Sequence, residues 1–289
     1  MALPPTARSG VTGGGELTGR VDIGGRSLYV ECRGKGSPTV VLDAGLRSRG
    51  DFWSVPLDPA ANSATVLDGV SRFTRVCEYD RPGTTLGAEP SRSDPVPMPR
   101  TARQASDDLR ALLRVAEIPG PYVLAGHSTG GLFVQLYARR FPRRVAGLVL
   151  VDSLAERLES AFTPPEWALF KKLNTDPPPG LEGYRDLEVI DFDTSYAQLR
   201  RAERRRPLPA MPLTVISRTV PSELPQDVPP GYPETFEEVW QRGQDALADL
   251  LPHTRHVHAK RSGHYVMFDR PKLAIREIRR VVETARKRD

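Results

Sequence analysis

Along the 289-residue chain, short apolar runs alternate with stretches whose apolar residues return at helical spacing. Leu17–Ile23 and Ser27–Arg33 alternate polar with apolar around Gly24-Gly25, which predicts a β-hairpin. Thr39–Asp43 (TVVLD) is a nearly continuous apolar run, the pattern of a strand covered on both faces. Phe73–Asp80 (FTRVCEYD) predicts a further strand closed by a turn at Arg81-Pro82-Gly83. From Thr101, a ready N-cap, to Ala116 the spacing becomes helical. A strand over Tyr122–Gly126, a helix over about Thr129–Arg140 and a strand over Val145–Asp152 follow. After Asp152 the rhythm breaks into short helices separated by prolines, carrying Phe162, Trp167, Phe170, Tyr184, Phe192 and Tyr196. It resumes with a strand at Leu213–Ser217, a Pro-rich loop, a helix over about Pro233–Leu251, a strand at Arg255–Ala259 and a last helix over about Pro271–Arg286.

Strands alternating with helices predict an α/β fold. The organisation expected is one core, residues 17–153 and 210–289, interrupted by a helical cap over 154–209 and preceded by a flexible segment, 1–16. No internal repeat is present.

The chemistry concentrates at Gly126-His127-Ser128-Thr129-Gly130, which fits the pattern G-x-S-x-G. An apolar strand enters it and an amphipathic helix leaves it. Such a turn forces the serine into a strained backbone conformation and lifts its Oγ above the sheet. The helix behind it presents free N–H groups to a developing negative charge. The pentapeptide alone occurs by chance; strand, motif and helix in register are far more specific.

On these residues the chain, from about Leu17 to its C-terminus, resembles the α/β-hydrolase superfamily. The resemblance implies an eight-stranded, mostly parallel sheet flanked by helices, with the cap inserted after the sixth strand, here Val145–Asp152. It makes Ser128 the nucleophile and places the catalytic histidine in the loop after the last strand, where Ser262-Gly263-His264-Tyr265 stands. The other histidines fit less well. His127 lies inside the turn and is set to point away from the serine Oγ, His253 lies near a helix end, and His256 and His258 share one face of a strand without a carboxylate or thiol at metal-binding spacing.

The acid is less regular. Family members usually carry it after the seventh strand, but here Leu213–Ser217 runs into Arg218-Thr219-Val220, and Glu223 and Asp227 come only later. A smaller set carries the acid at the end of the sixth strand, where Asp152 stands, so Asp152 is favoured over Glu223 and Asp227; its alternative role is an N-cap. For the oxyanion hole the resemblance points to two backbone N–H groups, that of Thr129 and that of Leu46 in Asp43-Ala44-Gly45-Leu46.

Composition narrows the setting. The hydrophobic fraction of 39% and charged fraction of 27% are those of an ordinary globular protein. The net charge of +5 is small for this length, the basic run Arg200–Arg206 reads as a solvated helix face, and nothing resembles a nucleic-acid-binding motif. No apolar run approaches the roughly 20 residues of a membrane span. Residues 1–15 carry no apolar stretch of the signal-peptide kind, which favours a cytoplasmic chain. With two cysteines this is not a disulfide scaffold. The strand order the resemblance implies makes the strands of Cys32 and Cys77 neighbours, so a disulfide and two buried thiols are both open; the disulfide, with a leader removed, would favour secretion.

The activity expected is hydrolysis of a carboxylic ester or lactone of an apolar small molecule through an acyl-enzyme, with no metal or cofactor. Amide or thioester hydrolysis, acyl transfer and a receptor-like binding role on the same scaffold are the alternatives. Epoxide hydrolase and dehalogenase chemistry would need a carboxylate where Ser128 stands.

Overall fold

The computed structural model describes residues 16–56 and 64–288, so the N-terminal segment expected over 1–16 lies, apart from its last residue, outside the described residues. The chain runs β1 (Leu17–Asp22), β2 (Ser27–Arg33), β3 (Thr39–Asp43), α1 (Val66–Ser71), β4 (Val76–Tyr79), the short pair β5 (Thr85–Leu86) and β6 (Glu89–Pro90), and α2 (Ala102–Val115). It continues with β7 (Tyr122–His127), α3 (Thr129–Arg140), β8 (Val145–Val151), α4 (Leu158–Ala161), α5 (Pro164–Thr175) and α6 (Phe192–Arg205). It closes with β9 (Leu213–Arg218), α7 (Tyr232–Ala248), β10 (Arg255–Ala259), α8 (Val266–Asp269) and α9 (Pro271–Arg286).

Eight strands form one sheet in the order β1-β2-β4-β3-β7-β8-β9-β10. β1 with β2 and β2 with β4 are antiparallel, and every later pairing is parallel. Two-residue periodicity splits the sheet's side chains between two cores. Val40, Leu42, Val123, Ala125, Val149 and Val151 face α1 and α9, while Val41, Leu124, Leu148 and Leu150 face α2 and α3. Thr101 caps α2 as expected: its Oγ1 accepts the Gln104 N–H, and its own N–H donates to Gln104 Oε1 at 2.8 Å.

Two boundaries differ from the sequence reading for local reasons. The strand expected from Phe73 begins at Val76, because the N–H groups of Phe73 and Thr74 close the end of α1 on the Val70 carbonyl. The helix expected to reach Leu251 ends at Ala248, where Asp249 and Leu250 tighten the last turn ahead of Pro252.

Between β8 and β9 lie α4, α5 and α6. Their aromatic residues pack on one another: Trp167 stacks on Phe170 with ring centroids 4.9 Å apart, and Phe170 meets Phe192 at 5.6 Å. This cluster continues onto Leu132, Phe133 and Leu136 of α3 and onto Phe236, Val239 and Trp240 of α7. The segment is therefore tied to the sheet's own helices through shared apolar surface. The basic run 200–206 ends α6, with Arg201, Arg204, Arg205 and Arg206 exposed.

A disulfide joins Cys32 and Cys77, which face each other in the β2–β4 register. Among the described residues, no helix is long and apolar enough to cross a membrane.

Candidate active site

Ser128 sits between β7 and α3 with φ 51° and ψ −120°, a backbone state costly for any residue but glycine. Its own N–H donates to the Val151 carbonyl, and its carbonyl accepts the N–H groups of Gly131 and Leu154. These bonds hold the strained turn in place. Glycine lets the neighbouring loop close on it: a Cβ on Gly130 would lie 2.3 Å from the Ala44 carbonyl oxygen. One on Gly45 would lie 2.8 Å from His127 Nδ1 and 3.3 Å from Ser128 Cβ.

A cavity of about 370 Å³ opens over this turn. Gly45, Leu46, Ser128 and His264 line it, with Phe52 and Tyr265 from the core and Leu173, Asn174, Pro178 and Leu181 from the segment after β8. Most of the aromatics of that segment lie in its own packing, so its apolar contribution to the cavity wall is aliphatic, from Leu173, Pro178 and Leu181, while Arg47, Ser48, Thr85 and His127 add polar groups. Thr129 is the first residue of α3, and its N–H is one of those a helix leaves without an internal partner.

His264 stands in the loop between β10 and α8. Ser262 Oγ and the Gly263 N–H both bind Asp269 Oδ2, at 3.1 and 2.8 Å, which fixes the loop from its far side. His264 Nδ1 lies 2.6 Å from Asp152 Oδ2. Asp152 is fully buried immediately after β8, at φ 38°, and its N–H is taken by the Ile216 carbonyl. It does not cap a helix; the next one, α4, begins at Leu158 behind Arg157.

Four donors converge on the Asp152 carboxylate. Oδ2 also accepts Arg218 Nη1 at 2.9 Å, while Oδ1 accepts the Arg218 N–H at 3.2 Å and Trp240 Nε1 at 3.1 Å. Burial pushes its pKa up, but the bond and charge of His264, with the charge of Arg218, overcome this and hold it at about 2. An ionised Asp152 accepts from His264 Nδ1–H, so in the neutral imidazole the lone pair is on Nε2. Arg218 continues to Glu237 Oε2 at 2.6 Å and lies over the Trp240 ring.

The alternative acids lie elsewhere. Glu223 and Asp227 are exposed in the loop between β9 and α7. His127 lines the same cavity, its ring centroid is 4.5 Å from that of His264, and its Nε2 donates to the His264 carbonyl at 2.9 Å. Burial first, and then the neighbouring His264, push its pKa down to about 3, so it is neutral. His253 is exposed in the turn before β10. His256 Nε2 lies 2.6 Å from Ser217 Oγ, and among the described residues no group of three or more His, Cys, Asp or Glu is placed to share a metal ion.

Residues 40–277 match the model of the alpha/beta hydrolase family, and the chain belongs to it. It is 26% identical to the probable transporter efuK of Hormonema carpetanum, over 92% of this chain and 42% of that protein. It is 28% identical to the uncharacterized protein YqjL of Bacillus subtilis (strain 168), over 87% of this chain and 86% of that protein. The chain thus spans less than half of one such relative and most of the other.

Among solved structures it is similar to a thermophilic esterase from Thermogutta terrifontis, with TM-score 0.58, 19% identity and 90% and 94% of the two chains covered. It is also similar to the enol-lactonase from Burkholderia xenovorans LB400, with TM-score 0.57, 19% identity and 92% and 100% covered. At that identity the likeness is one of fold.

Proposed function

We propose that the chain is a serine hydrolase that cleaves a carboxylic ester or lactone of a small apolar molecule, with Ser128, His264 and Asp152 as its triad. One observation carries the reading: the strained Ser128 shares a cavity with a histidine whose Nδ1 is bound by a buried, ionised aspartate. That arrangement leaves His264 Nε2 as a base on the serine's side.

In this reading His264 Nε2 takes the Ser128 proton as Oγ attacks the substrate carbonyl. The N–H groups of Leu46 and Thr129 hold the oxyanion of the tetrahedral intermediate. The imidazolium, stabilised by Asp152, gives its proton to the departing alkoxide. In a lactone that alkoxide stays tethered to the acyl chain. Water activated by His264 then releases the acid and frees Ser128.

Residues 154–209 act as the cap, and their aliphatic contribution to the cavity wall favours a small apolar acyl group. The likeness to an esterase and an enol-lactonase supports both ester and lactone bonds without choosing between them. The Cys32–Cys77 disulfide supports an oxidising compartment over the cytoplasm.

The test is a hydrolysis screen over p-nitrophenyl esters of rising acyl length and over simple lactones, with Ser128→Ala alongside. Turnover that falls with acyl length and vanishes in Ser128→Ala is expected. Turnover retained in that variant would rule the reading out.

A further inference from the structure

The turn after β4 carries a buried arginine that the hydrolytic scheme leaves unused. Arg81 is 3% exposed, and each of its five N–H donors is engaged. Nε and Nη2 bind the two oxygens of Glu188 at 2.7 and 2.9 Å, and Nη1 binds Asp43 Oδ1 at 2.6 Å. Nη1 also holds the Ala44 carbonyl at 2.9 Å, and Nη2 the Gly45 carbonyl at 2.7 Å. Burial works against the charge of Arg81, but Glu188 and then Asp43 more than offset it and keep the side chain cationic.

Peptide geometry gives this grip a consequence. The Gly45 carbonyl and the Leu46 N–H belong to one planar trans unit, in which C=O and N–H point in opposite directions. With the carbonyl fixed on Arg81, the Leu46 N–H turns away from the guanidinium. On that other side the loop borders the cavity shared with Ser128. A cation on the carbonyl also polarises the peptide and strengthens its N–H as a donor.

Glu188 secures the same loop from a second direction. It lies between α5 and α6, and its Oε2 accepts the Arg47 N–H at 2.7 Å. The Arg47 guanidinium in turn binds the carbonyls of Asn174, Thr175, Asp176 and Glu188. Residues on both sides of the Leu46 amide are thus held by one buried ion cluster, whose Glu188 comes from the segment after β8.

We propose that Arg81 is a positioning residue for the oxyanion hole, orienting the Leu46 N–H through the Gly45 carbonyl, and that Glu188 holds Arg81 and the loop in register. The segment after β8 then helps to assemble the hole as well as covering the cavity. This rests on the reading of Ser128 as nucleophile and Leu46 as oxyanion donor.

The test compares wild type, Ser128→Ala, Arg81→Met, Arg81→Lys and Glu188→Gln on p-nitrophenyl butyrate. It also measures inhibition by a short alkyl boronic acid, whose adduct with Ser128 is tetrahedral and anionic. Arg81→Met is expected to lower kcat about 10²-fold, the scale of losing one oxyanion donor, with KM within about threefold and boronate affinity falling in step. Arg81→Lys should restore part of both, and Glu188→Gln should show a smaller loss of the same kind. A purely structural role would lower the melting temperature without that selective loss of kcat and boronate affinity. Should Arg81→Met fail to fold, Arg81→Lys and Glu188→Gln carry the test. Wild-type kcat and boronate affinity in folded variants would overturn the proposal alone. A wild type without Ser128-dependent turnover would overturn the hydrolase reading, and this proposal with it.

Discussion

Arg218 Nη1 donates at 2.9 Å to Asp152 Oδ2, the same oxygen that lies 2.6 Å from His264 Nδ1. The end of β9 thus carries a cation that pairs with the carboxylate immediately after β8. Both side chains are buried, so the carboxylate is ionised within a shell of donors rather than in water.

This arrangement separates the three carboxylates kinetically. Asp152→Asn would place an amide among donors, leaving His264 or Arg218 facing an N–H. Its kcat should fall on the order of 10⁴-fold, the scale of the corresponding change in serine proteases. Glu223→Gln and Asp227→Asn remove exposed charges and should change kcat by less than about threefold. Steady-state kinetics of the three variants on one ester decide it, and an active Asp152→Asn beside a dead Glu223→Gln would move the acid to the loop after β9.

The same aspartate ties stability to pH. Its folded pKa of about 2 lies below the ordinary carboxylate value, so the native state favours its ionised form. The resulting stability is fully present above about pH 4 and is lost as pH falls through about 2, an effect on the order of 2 kcal/mol. Urea unfolding of wild type and Asp152→Asn at pH 5, 4, 3 and 2 should show their difference shrinking over that interval. A constant difference would mean that the charge on Asp152 contributes nothing to folding.

The Cys32–Cys77 bond closes a loop spanning 45 residues of sequence. Reduction should therefore cost about 2–4 kcal/mol by freeing the unfolded chain. Urea midpoints with and without dithiothreitol measure it, and a Cys32→Ala/Cys77→Ala variant should be insensitive to the reductant. Two free thiols in the unreduced, urea-unfolded protein would show that the bond does not form.

Much of the fold was legible because it is local. Two-residue alternation marked β1 and β2, Thr101 announced the start of α2, and the apolar approach to Gly126 located the turn that presents Ser128. What the chain did not reveal is non-local. Arg218 and Trp240 reach Asp152 from 66 and 88 residues away, and Glu188 meets Arg81 across 107. No spacing rule connects such positions, and each residue alone reads as an ordinary charge or a helix aromatic. The aromatics after Asp152 were visible in the sequence, but not the direction they face; burial against α3 and α7 decides that. The contact of His127 with the His264 carbonyl was out of reach for a similar reason, since it depends on a loop 137 residues downstream.

The most direct measurement is covalent labelling with a fluorophosphonate, followed by mapping of the modified residue. A serine attacks phosphorus readily only when a base and an oxyanion hole activate it. The account predicts one label per chain, on Ser128, lost in Ser128→Ala and strongly slowed in His264→Ala. An unlabelled wild type, or a label that persists in Ser128→Ala, would contradict it.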